Sequence, residues 1–124
     1  MKQILVIDDE AHIRKMLRKL LEGNGYKVCL ACDGEDGLAQ FKTHLPDLVI
    51  TDLIMPEKEG LETIREIRKI TSDTKIIAIS GGGISQPDMY LHMAESFGAQ
   101  AVFKKPVDTE VLVAEVAKLL DEAP

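Results

Sequence analysis

The sequence predicts an α/β fold, a parallel sheet with helices on both faces. Three observations carry this. Short apolar runs at residues 4–7, 48–51 and 101–103 each lead straight into charged residues: Asp8-Asp9, Asp52 and Lys104-Lys105. Runs of this length, bounded by turn signals, mark strands buried on both faces. Between strands, apolar residues recur at helical spacing, and the alternation repeats five times with connections of a few residues. Such alternation builds a parallel sheet through right-handed crossovers.

Residues 2–7 read as the first strand. Ile13, Met16, Leu17, Leu20 and Leu21 then follow helical spacing, with Arg14, Lys15, Arg18 and Lys19 on the solvent side. Gly23-Asn24-Gly25 ends that helix. Residues 26–31 form a second strand, rich in strand formers. Asp33-Gly34 opens a helix with Leu38 and Phe41 inward, which Pro46-Asp47 breaks before a third strand at 47–51. A loop from Asp52 to Gly60 leads to a helix with Leu61, Ile64 and Ile67 inward. The fourth strand, 75–79, is closed by Ser80; Gly81-Gly82-Gly83 is read as a mobile or tightly turned loop. A helix begins near Gln86-Pro87-Asp88 with Met89, Met93 and Phe97 inward, and Gly98 ends it. After the fifth strand, 101–103, Asp108 caps a last helix that buries Leu112, Val116, Leu119 and Leu120.

At 124 residues the chain fits one domain, 1–124, with one core. A net charge of −6 weighs against nonspecific nucleic-acid binding. No apolar stretch reaches membrane-spanning length. Met1-Lys2 leads directly into the first strand, so no signal peptide is read and the expected compartment is the cytoplasm. Cys29 and Cys32 form a lone C-x-x-C, which cannot complete a zinc site. They are read as buried strand thiols on opposite faces. His12, His44 and His92 are read as surface residues away from the charged edge.

In an open parallel sheet, ligands bind beyond the carboxyl ends of the strands. Asp8, Asp9, Asp52 and Lys105 therefore gather at one edge, with Ser80 at a fourth strand end. Asp8, Asp9 and Glu10 on their own could equally cap the first helix. Together with Ser80 and Lys105 they suit phosphoryl transfer. Close carboxylates repel, and a hard divalent cation relieves this; few protein carboxylates plus waters and a phosphate suit Mg²⁺. A metal and a lysine would neutralise phosphoryl oxygens, a hydroxyl would donate to them, and a carboxylate can serve as nucleophile.

The motifs Ile4-Leu5-Val6-Ile7-Asp8-Asp9-Glu10, Asp52-Leu53-Ile54-Met55-Pro56 with Gly60, Ser80-Gly81 and Lys105-Pro106 resemble, in order and spacing, a receiver domain of bacterial two-component response regulators. The resemblance spans essentially the whole chain. It implies a doubly wound, flavodoxin-like five-stranded sheet of order 2-1-3-4-5. It implies a phospho-acceptor at Asp52, Mg²⁺ held by Asp8, Asp9, Asp52 and the Ile54 carbonyl, a switch hydroxyl at Ser80 and a phosphoryl-pairing lysine at Lys105. It further implies a cis peptide at Lys105-Pro106. The phosphoryl donor would be a histidine kinase or phosphotransfer protein. Such a chain is a signalling protein that assists its own phosphorylation and dephosphorylation, not an enzyme acting on outside substrates. Output would pass through the face of the fourth helix, fifth strand and fifth helix to a protein target or a phosphorylation-dependent dimer. The chain ending is compatible with a stand-alone receiver or a piece of a longer regulator.

Two positions depart from the family pattern. Where the family often has an aromatic, three residues before the lysine, this chain has Val102; Phe103 is one residue later and faces the other way. The segment from Ser80 to Lys105 is slightly long, with the excess at residues 81–85, a loop expected to be ordered by phosphorylation. Two other functions fit a strand-end aspartate. One is an aspartate-nucleophile phosphohydrolase, against which Ile54 stands where an acid/base aspartate would be needed. The other is a degenerate receiver that only binds partners, against which the intact set Asp8, Asp9, Asp52, Ser80 and Lys105 stands.

Overall fold

Strands and helices alternate without exception along the computed structural model, which describes residues 1–53, 60–80 and 87–120, and of 87–91 the backbone alone. The elements are β1 (Gln3–Ile7), α1 (Ala11–Gly23), β2 (Lys27–Ala31), α2 (Gly34–His44), β3 (Leu48–Asp52), α3 (Gly60–Ile70), β4 (Lys75–Ser80), α4 (Pro87–Phe97), β5 (Ala101–Lys104) and α5 (Thr109–Leu119). Every strand lies within one residue of its expected bounds. The sheet is parallel throughout, with order β2-β1-β3-β4-β5. The expected doubly wound order is thus observed.

The period-2 geometry of each strand divides its apolar residues between two cores. Leu5, Ile7, Val49, Ile76 and Ala78 face α2, α3 and α4, where Phe41, Ile64 and Ile67 meet them. Ile4, Val6, Ile50, Ile77 and Ile79 face α1 and α5, against Leu17, Leu21, Leu112 and Val116. Val102 packs into the first core and Phe103 into the second. The aromatic side chain therefore lies on the α1/α5 side of β5, as its one-residue offset requires.

The local signals also act as expected. Asp33 caps α2 by accepting from the Asp36 N–H at 2.8 Å. Asp108 caps α5 by accepting from the N–H groups of Glu110 and Val111. The Lys105-Pro106 peptide is cis.

Several side chains depart from the sequence reading. Met16 is 40% exposed and Met93 37% exposed, although both were expected inward. The buried stripe of α1 centres on Leu17 and Leu21, so Met16 falls at its margin, with Ile13 and Leu20 half-buried. In α4 the small Ala94 takes the buried position, which turns Met93 toward solvent. Leu119 is half-buried, with Leu120 the more enclosed. Cys29 is half-buried, but Cys32 lies one residue past β2 and is exposed, so the two are not both buried strand thiols. The readings for Ile54, Met55-Pro56 and the Gly81–Gly83 loop, and for the Met89 side chain, fall outside what is described.

At the amino edge of the sheet, Arg68 ties α3 to the segments entering β4 and β5. Its guanidinium donates to the Thr74 carbonyl at 2.6 Å, to the Gly98 carbonyl at 2.8 and 3.2 Å, and to Gln100 Oε1 at 3.0 Å. Gly98 adopts φ +119°, where a Cβ would collide with the Arg68 side chain, so both backbone and space demand glycine. Burial lowers the Arg68 guanidinium from its usual value.

Candidate functional site

The strand register sets the site. Ile7 pairs with Thr51, so Asp8 and Asp52 leave adjacent strands side by side. Asp52 pairs with Ile79, and Ser80 with Lys104. The Lys105 N–H donates to the Ser80 carbonyl at 2.8 Å, which carries the ladder one step past β5. Four neighbouring strands thus deliver Asp8, Asp52, Ser80 and Lys105 to the carboxyl edge.

At that edge the Lys105 ammonium stands 3.2 Å from Asp52 Oδ2, 3.3 Å from Asp8 Oδ2 and 3.2 Å from Glu10 Oε1. Asp8 and Asp52 are 2% and 6% exposed, so these two charges are withdrawn from water. Burial alone would pull the Lys105 ammonium down. The charges of Asp52 and Asp8, with hydrogen bonds to Asp52 and Glu10, outweigh it and hold the group above the usual lysine value. Burial pushes the Asp8 carboxyl up from its usual range. The Glu10 N–H and the Lys105 charge offset part of that push. Lys105 is therefore a fixed cation, and Asp8 a carboxylate short of positive charge.

Ser80 Oγ is buried and has no hydrogen-bond partner among the described residues. An orphan hydroxyl costs stability, and it sits at the strand end beside the carboxylates. Gly60 opens α3 against the end of β3: its N–H donates to the Leu53 carbonyl at 2.9 Å, and a Cβ there would run into the Asp52 carbonyl. Only a glycine lets α3 start so close to Asp52.

Three residues near the edge have neighbours that the sequence reading did not anticipate. Arg14, expected on the solvent side, is half-buried and donates to the Asp8 carbonyl at 2.7 Å, which fixes the turn that carries Asp8. Glu10 occupies the N-cap of α1 but makes no side-chain cap bond; its carboxylate turns to Lys105 instead. The signal for Glu10 was present, because glutamate is not among the residues that favour this position. His12 was expected away from the edge, yet its Nε2 lies 3.8 Å from Glu10 Oε2. His44 and His92 are exposed, as expected.

Asp8, Asp9 and Glu10 can each place a carboxylate oxygen within 4.8 Å of the others. All are hard oxygen donors, and buried Asp8 carries charge that a cation would stabilise, so the residues fit a divalent ion such as Mg²⁺. Asp9 is exposed, which leaves that side open to water ligands.

A family model described as the response regulator receiver domain matches residues 4–117. The transcriptional regulatory protein CpxR of Klebsiella pneumoniae is 34% identical over 97% of this chain and 50% of its own length. The response regulator ArlR of Staphylococcus aureus is 37% identical over 100% of this chain and 55% of its own. The chain thus spans about half the length of these relatives. A receiver domain structure from Clostridium thermocellum superposes with a TM-score of 0.89 at 34% identity, covering 98% of this chain and 96% of that one. TrrA of Thermotoga maritima, crystallised with Mg²⁺ and BeF, gives 0.84 at 38% identity, covering 96% and 99%.

Proposed function

The chain belongs to the response regulator receiver domain family, and from that premise we propose that it is a switch thrown by phosphorylation of Asp52. One observation carries the reading: a lysine from the end of β5 lies within 3.3 Å of buried carboxylates at the ends of both β1 and β3. A phosphoryl group on Asp52 would arrive beside a fixed positive charge, with the Ser80 hydroxyl, buried and unpartnered among the described residues, at the neighbouring strand end.

In the transfer, an Asp52 oxygen forms a bond to phosphorus as the bond to the donor breaks. The donor leaves with the bonding pair, and an acyl phosphate remains. Lys105 offsets charge on the phosphoryl oxygens and Ser80 donates a hydrogen bond. Asp8 and Asp9, with Asp52 and the Ile54 carbonyl, would hold Mg²⁺. When bound, Mg²⁺ supplies the charge that lets a phosphoryl group approach a cluster of carboxylates.

In this reading residues 1–124 form one receiver domain. The donor is a histidine kinase or phosphotransfer protein, and the setting is the cytoplasm. Among the described residues no helix is long and apolar enough to cross a membrane. Output through α4, β5 and α5, to a protein target or a second copy, is supported by apolar Met93 and Val111, which stand exposed on α4 and α5.

Incubation with Mg²⁺ and acetyl phosphate, followed by intact mass measurement, tests the proposal. The expected result is a single phosphate adduct that Asp52→Asn abolishes. No adduct would favour a pure binding module, and turnover of added phosphoesters would favour a hydrolase; either overturns the reading.

A further inference from the structure

Lys105 has three N–H bonds and three carboxylates around it, at 3.2, 3.2 and 3.3 Å. A phosphoryl group on Asp52 would compete with these partners for the lysine. The three are not equally easy to leave. The Asp8 side chain is 3% exposed and the Glu10 side chain 48% exposed. In the proposed switch Mg²⁺ would take over the charge of Asp8, and the bond to phosphorus uses that of Asp52, whereas the exposed Glu10 keeps its charge and is rehydrated at little cost when the lysine leaves. Asp52 is where the new oxygens appear. Glu10 is therefore the partner released.

Its geometry fits such a role. The Glu10 backbone is held at both sides: its N–H donates to Asp8 Oδ1 at 2.9 Å, and its carbonyl accepts from the N–H groups of Ile13 and Arg14 at 3.1 Å. The side chain makes no capping hydrogen bond to the helix that it begins. One carboxylate oxygen faces Lys105 and the other faces His12 Nε2 at 3.8 Å. A group at an N-cap that does not cap is free to serve the lysine.

We propose that Glu10 is a positioning residue, a latch that holds Lys105 in the unphosphorylated state and must open before the lysine can engage the phosphoryl group. It acts through Lys105 and touches neither donor nor phosphorus. This inference rests on Asp52 being the acceptor.

The test follows the rate at which acetyl phosphate modifies the whole chain with Mg²⁺, by intact mass, for wild type, Glu10→Gln and Glu10→Asp. In each case acetate leaves as the Asp52 oxygen–phosphorus bond forms. Glu10→Gln removes the charge and keeps the length. Glu10→Asp keeps the charge but falls one methylene short of Lys105. Both variants are expected to react about two- to fivefold faster, the range set by loss of one exposed ion pair. An unchanged rate in both overturns the latch. Acceleration by Glu10→Gln alone overturns it too, because simple repulsion of the incoming anion then suffices. Weaker Mg²⁺ binding by Glu10→Gln, measured by titration calorimetry, would make Glu10 a metal ligand instead and also overturn the latch. If wild type itself takes no phosphate, the acceptor reading fails first, a result distinct from all of these.

Discussion

Gly60 begins α3 directly against the strand end that carries Asp52: a Cβ built on it would lie 2.7 Å from the Leu53 Cα and press into the Asp52 carbonyl. Both neighbours are backbone, so neither can rotate away. Gly60→Ala is therefore expected to cost about 2 kcal/mol or more, as overpacking against rigid atoms does. The displaced strand end should also slow modification of Asp52. Urea denaturation, paired with the acetyl phosphate rate, checks both effects.

Asp8 is a buried carboxylate whose charge is opposed by burial more than its partners relieve. In chelator-treated protein, Asp8→Asn is expected to raise stability by about 1 kcal/mol, because the variant no longer buries that charge. Saturating Mg²⁺ should reverse the ranking, since the wild type gains binding energy that the variant lacks. Thermal melts with chelator and with Mg²⁺ give the four values required.

Ser80 Oγ is buried without a partner among the described residues, so the unphosphorylated protein carries the cost of that hydroxyl. Ser80→Ala should stabilise this state by about 1 kcal/mol. In the proposed switch the same change removes a donor to the phosphoryl group. The stabilisation conferred by Mg²⁺ with beryllium fluoride should therefore be smaller in the variant, as melts with and without that mimic would record.

Arg68 bonds three acceptors, two of them backbone carbonyls. Arg68→Ala is expected to lose about 2 to 3 kcal/mol. Arg68→Lys should recover less than half of it, because one ammonium cannot span three sites that a planar fork reaches. The clamp lies at the amino edge, so the acetyl phosphate rate should stay unchanged in both variants. Denaturation midpoints and that rate together check the prediction.

The sheet was legible because its period is written twice, in apolar strand runs and in helical spacing between them. Asp8, Asp52, Ser80 and Lys105 were legible because each ends a strand, and parallel topology sends all strand ends to one edge. The reach of long side chains was not legible. Arg14 sits on a face that the helical period marks as solvent, yet it folds back to the Asp8 carbonyl. Glu10 could be placed at the helix start but not turned toward Lys105, a residue 95 positions away. Met16 and Met93 were misjudged because an apolar residue at the margin of a stripe reads the same as one at its centre. Cys32 was misjudged because it was read as a strand residue although it lies one position past the strand's end.

The clamp at Arg68 and the ammonium at Lys105 stand at opposite ends of the same strands. Anchorage and chemistry therefore occupy separate rims of one sheet. In the proposed switch, a change at the carboxyl rim would alter the lifetime of the phosphoryl group while the amino rim keeps its anchorage. A change at the amino rim would set how much folded protein is present without altering the chemistry at the other rim. In the proposed switch, dose could be tuned from the amino rim alone, whereas Gly60, Asp8 and Ser80 tie duration to stability at the carboxyl rim.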